Sequence, residues 1–102
     1  GVDPGESPEE AAQRELQEET GQRAGRLERL SGFFLSPGYS DEYMDLYLAT
    51  ALEPSALVAD ADESIEVVRL PLAEALRLIE RGEIRDAKTV IGLWAAAKHQ
   101  KM

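Results

Sequence analysis

The chain has 102 residues, 43% of them hydrophobic and 30% charged, with a formal net charge of −9 and no cysteine. That size suits about one domain with a single core, and the composition is that of a soluble globular protein, neither disordered nor membrane-spanning. The negative charge argues against broad binding to nucleic acid or anionic membranes. Without cysteines there are no disulfides or thiolate metal sites, and no basic start leads into an apolar run, so a cytoplasmic location is the default expectation.

Residues 1–21, GVDPGESPEEAAQRELQEETG, open with turn chemistry at Asp3-Pro4-Gly5 and run into a helix. Ser7 is the expected N-cap. Pro8 takes the first helical position, where its missing N–H costs nothing, Glu10 completes a capping box, and Gly21 is the expected C′ residue. Between these ends the apolar residues are Ala11, Ala12 and Leu16, a thin stripe that buries little. The acids are the more informative feature. Glu15, Glu18 and Glu19 stand at i, i+3 and i+4, so a helix points all three the same way despite their mutual repulsion. A hard divalent cation with oxygen ligands, such as magnesium, is the economical partner. A solvated acidic face is the plain structural alternative. A chain that opens at Gly1 inside such a loop reads as a fragment of a longer protein.

Residues 25–35 predict a strand, with Gly32 as a candidate bulge or close backbone approach, and residues 36–42 a loop. A second strand over residues 43–52 sets Met44, Leu46 and Leu48 on one face and is fairly apolar on both. That pattern predicts an interior strand covered by helices on each side. A loop over residues 53–64 carries Asp60, Asp62 and Glu63, and residues 65–70 predict a third strand. Pro71 opens a helix with the stripe Leu72, Ala75, Leu76 and Ile79, ending at Gly82. The last helix starts near Asp86 and repeats Ala87, Val90, Ile91, Trp94 and Ala95 at helical spacing, which predicts that Trp94 is core. Lys98, His99 and Lys101 suit its negative C-terminal end, so His99 is expected to be a dipole partner and not a base.

The opening stretch closely resembles the Nudix box, G-x5-E-x7-R-E-U-x-E-E-x-G-U with U aliphatic. Glu6 takes the first acid, and after seven residues Arg14-Glu15-Leu16-Gln17-Glu18-Glu19-Thr20-Gly21 fills the second half without a gap. The box's leading glycine falls one residue before Gly1, and Gln22 stands at the closing aliphatic position. The resemblance implies an α/β (α+β) fold, the Nudix α/β/α sandwich with a mixed sheet. This chain would be its C-terminal portion, residues 1–102 forming a single domain that lacks its N-terminal part. It also implies that Glu15, Glu18 and Glu19 bind magnesium or manganese, while Glu6, Arg14 and Gly21 are structural. The chemistry of the residues agrees, since Arg14 and Glu18 are an i,i+4 pair and a salt bridge from Glu6 to Arg14 would fasten loop to helix.

Beyond the box, SPGYSDEYMDLYLA and DESIEVVRLPLAEALRLIERGEIRDAKTVIGL resemble ADP-ribose pyrophosphatases, with Pro37 sixteen residues after Gly21. This implies metal-dependent hydrolysis of the ADP-ribose diphosphate to AMP and ribose 5-phosphate. Ser36, Pro37 and Gly38 would then line the substrate mouth, and relatives of this type are homodimers. Pro37 is equally readable as a turn proline. In such enzymes an acid from a loop near the third strand helps activate the attacking water. Glu63 is favoured over Asp60 and Asp62 for its reach, with Glu18 as the other catalytic acid, and an ordinary loop acid is the alternative for Glu63. Two other functions stay open, a pyrophosphatase for another nucleoside diphosphate sugar and a non-catalytic Nudix-like nucleotide sensor.

Overall fold

The computed structural model describes residues 1–55 and 67–100. Its elements, in order, are α1 (Pro8–Thr20), β1 (Gln22–Phe34), β2 (Tyr43–Pro54), α2 (Leu72–Glu80) and α3 (Ala87–Gln100). The mixed α/β class matches expectation. The described sheet is a two-stranded hairpin of β1 and β2. Its antiparallel register is marked at one end by Leu35 N–H donating to Glu42 O (3.2 Å) and at the other by Ser55 N–H donating to Gly21 O (2.9 Å). Among the described residues the predicted third strand is absent, since 67–70 lie in no strand and 65 and 66 fall outside. A strand needs a partner for its backbone N–H and C=O groups, and the described chain offers none there.

Two compact units divide the chain. The first is Gly1–Arg29 with Tyr47–Val67 and the second Leu30–Leu46 with Val68–Met102. In the first, α1 forms as its caps dictate: the Ser7 side chain accepts from Glu10 N–H, the Glu10 side chain accepts from Ser7 N–H, and Gly21 closes the helix at φ 73°. Upstream, Pro4 and a left-handed Gly5 (φ 79°) carry a turn closed by Glu6 N–H donating to Asp3 O at 3.0 Å, the pattern of a type II turn. The strand start moved from the expected residue 25 to Gln22, because the left-handed Gly21 turns the chain straight into the hairpin. A close backbone approach is found at Gly25. Ala51 has φ 53° within β2, and a Cβ added to Gly25 would lie 2.9 Å from Ala51 Cβ and 3.0 Å from its carbonyl oxygen.

In the second unit Phe34 and Tyr43 meet edge to face at 4.9 Å beside the hairpin loop. Helices α2 and α3 pack together, and Gly92 of α3 sits close to Leu46 of β2. Asp86 caps α3, its Oδ2 accepting from Thr89 N–H (3.0 Å) and Thr89 Oγ1 (2.8 Å). Lys98 and His99 occupy the last turn, as expected.

Burial corrects two expectations. Among the described residues only Ala11, Ala24 and Ala75 are fully buried apolar side chains, and Trp94 is 59% exposed. Trp94 is therefore not core here: helical spacing dictates which residues share a face, and nothing among the described residues covers that face of α3 fully. Likewise β2 is half-buried over residues 44–49 and exposed beyond, so the described residues do not cover both of its faces along its length. None of the described helices is long and apolar enough to cross a membrane.

Candidate active site

The first unit gathers the acids around Arg14. Its Nε donates to Glu6 Oε2 at 2.9 Å and its Nη2 to Glu6 Oε1 at 3.2 Å, a two-pronged grip from helix to loop. The same Nη2 donates to Gly1 O at 2.7 Å, and Nη1 donates to Glu18 Oε2 at 3.2 Å. One guanidinium thus ties the turn, the first acid and the helix together. A planar fork of five N–H donors can do this where a lysine ammonium cannot.

The electrostatics follow from the grip. Glu6 is held below the usual carboxylate range, first by the Arg14 hydrogen bond and then by Asp3 N–H, which donates to its Oε1 at 2.9 Å. Arg14 is pushed up, chiefly by Glu6, and stays charged at any working pH. Glu6 is also the most sheltered acid of the group, its side chain 16% exposed against 38% for Glu15 and 39% for Glu18. Glu15 Oε1 lies 3.0 Å from the Gly1 nitrogen. Glu19 is exposed and has no partner among the described residues.

Of the other predicted residues, Ser36, Pro37 and Gly38 lie exposed in the hairpin loop of the second unit, where Ser36 O accepts from Tyr39 N–H (2.9 Å) and Ser40 N–H (2.8 Å). Asp60, Asp62 and Glu63 lie outside the described residues.

The profile of the NUDIX domain matches residues 1–92. The chain belongs to the Nudix family. It is 40% identical over 94 residues to the ADP-ribose pyrophosphatase of Bacillus subtilis (strain 168), covering 90% of this chain and 51% of that protein. To the GDP-mannose pyrophosphatase of Citrobacter koseri it is 38% identical over 89 residues, covering 84% and 47% respectively. Among solved structures, an ADP compounds hydrolase superposes with a TM-score of 0.86 at 37% identity, covering 98% of this chain and 54% of the other. The chain spans about half the length of the curated relatives it matches.

Within this Nudix chain the donor set suits a hard divalent cation: three carboxylates on one helix face, with no thiolate and no imidazole beside them. Glu18 already draws a positive group, the Arg14 guanidinium. As placed, the carboxylates do not close around one point, and among the described residues no three acidic or imidazole side chains are grouped to hold a metal. The side chains of Glu15 and Glu18 are more than a third exposed and Glu19 is exposed, so each can turn by rotamer change to meet an ion.

Sequence reasoning missed the residues that dock this helix. Gln13 Nε2 donates to Ala24 O at 2.9 Å while its Oε1 accepts from Ala24 N–H at 2.8 Å. One turn on, Gln17 Oε1 accepts from Ser55 Oγ at 2.7 Å and Gln17 Nε2 donates to Gln13 O at 3.2 Å. The only advance signal was two amides spaced i,i+4 beside the thin apolar stripe.

Proposed function

We propose that the whole protein hydrolyses the diphosphate of ADP-ribose to AMP and ribose 5-phosphate, using magnesium or manganese. The observation that carries this is the register of Glu15, Glu18 and Glu19 on a helix whose Glu6–Arg14–Glu18 fastening is formed. A divalent cation bound there would neutralise the phosphates and acidify a water molecule. Glu15, Glu18 and Glu19 would supply its oxygen ligands, and Arg14 would limit the drift of Glu18 while leaving Glu15 and Glu19 to turn. Water is the nucleophile. Its oxygen bonds to one phosphorus as the bond from that phosphorus to the bridging oxygen breaks, and its proton passes to a carboxylate, with Glu63 as the favoured acceptor. Ser36, Pro37 and Gly38 are assigned to substrate binding on the sequence likeness beyond the box alone.

The relative named for ADP-ribose supports the substrate, as does the sequence likeness beyond the box. A second reading, another nucleoside diphosphate sugar, is favoured by the relative named for GDP-mannose. The intact acids weigh against a non-catalytic sensor. A cytoplasmic homodimer acting on a small molecule, without nucleic acid or membrane, completes the proposal.

Product analysis separates the substrates: with magnesium the protein should release AMP from ADP-ribose faster than it cleaves GDP-mannose, and chelation should abolish both. Faster cleavage of GDP-mannose would move the assignment to the second reading. Glu63→Gln should lose most turnover; near-normal turnover would transfer the base to Asp60, Asp62 or another group.

A further inference from the structure

We infer that Gln13 is a positioning residue which fixes the rotation of α1 about its own axis and so aims the acidic face. The inference rests on the metal-binding reading above. Three observations carry it.

First, the Gln13 amide imitates a strand partner. In an antiparallel strand the N–H and C=O of one residue point to the same side, and both groups of Ala24 are taken by the two ends of one side chain. They therefore point away from β2, along the edge that a two-stranded sheet leaves open. Ala24 is 3% exposed, so water cannot replace the amide.

Second, the clasp lies opposite the acids. At about 100° per residue, Gln13 and Gln17 fall within about 40° of each other, while Glu15, Glu18 and Glu19 centre roughly 170° from their midpoint. Anything that turns the helix against the hairpin swings the carboxylates directly.

Third, the magnitudes are unforgiving. The tips of helical side chains lie about 6 Å from the axis, so a turn of about 20° displaces them by about 2 Å. Metal–ligand distances tolerate about 0.2 Å, so the exposed glutamates would have to make up that displacement by leaving their preferred rotamers, which weakens binding. The apolar contacts of α1 are too sparse to hold that angle: of its residues only Ala11 is buried, and a methyl group gives no directional restraint. Two hydrogen bonds to the backbone of one residue do, with the Gln17–Ser55 bond as a second latch.

The test uses the full-length protein with Gln13→Glu and Gln13→Met. The first keeps an acceptor for Ala24 N–H but sets a carboxylate against Ala24 O; the second keeps length and loses both bonds. Ser55→Ala, which removes the second latch and leaves Gln13 in place, carries the test should either fail to fold. Three quantities are read: magnesium affinity by calorimetry, the magnesium concentration for half-maximal hydrolysis, and hydrogen exchange at the Ala24 amide. Both Gln13 variants should weaken magnesium binding about tenfold, by analogy with residues that orient metal ligands, and raise the half-activation concentration in step. Ala24 should exchange faster, and KM at saturating magnesium should stay close to wild type. Ser55→Ala should shift the same way by less. Folded variants with faster Ala24 exchange but unchanged magnesium affinity would show that the clasp is structural only and overturn the inference. A wild-type protein that binds no magnesium would overturn both the inference and the metal reading beneath it.

Discussion

Arg14 grips Glu6 with two prongs and Glu18 with a third, and the consequence for Glu6 is acid sensitivity. Its folded pKa lies below the ordinary glutamate value, so its contribution to stability is fully present above that value and is lost as pH falls through the folded one. Asp86, lowered by Lys88 and then Thr89, adds in the same direction. Acid unfolding followed by circular dichroism should therefore steepen below the usual carboxylate range, and Glu6→Gln should flatten that slope; an unchanged slope would mean that the Glu6 grip adds nothing in solution. The residue scale also shows where prediction stops. Glu6, Arg14 and Glu18 were readable because charge and spacing name each other's partners, and the Arg14 contacts formed as expected. Gln13 was not, because an amide that donates and accepts suits any backbone, and its partner Ala24 is an apolar residue with no side-chain signature.

Among the elements, α1 was the most readable, since Ser7, Pro8, Glu10 and Gly21 punctuate it independently and agree. Ser7→Ala should cost about 1 kcal/mol in chemical denaturation, the usual worth of an N-cap. The hairpin was readable in existence but not in detail. Strand pattern located β1 and β2, yet the tight point fell at Gly25 because the left-handed Ala51 sits opposite, and backbone handedness at an alanine leaves no trace in sequence. Gly25→Ala should destabilise by about 1–3 kcal/mol through overpacking against Ala51, and a neutral result in the same denaturation assay would place the two backbones farther apart. Helix α3 shows the complementary limit. Its apolar stripe was correctly periodic, but periodicity says nothing about what covers the stripe, and Trp94 stands 59% exposed.

At the scale of the molecule, a chain of net charge −9 sets several carboxylates on one helix and fastens only part of them with arginine. A cation that binds the folded state alone raises stability by mass action, about 2.7 kcal/mol at a hundred times its dissociation constant. Magnesium chloride should thus raise the thermal midpoint beyond a sodium chloride control of equal ionic strength, whereas equal shifts would mean general screening. Family and fold class could be read from the chain because the box is local and contiguous. Substrate choice was less accessible, since it depends on groups spread beyond the helix, and the relatives of similar identity bear different substrate names. The most direct test of the acidic helix is Glu19→Gln in the full-length protein, assayed for AMP release from ADP-ribose across a magnesium titration. A folded variant that loses most turnover, beside a wild type active only with metal, is the predicted result. Turnover equal to wild type at every magnesium concentration would contradict the metal-binding role of this face.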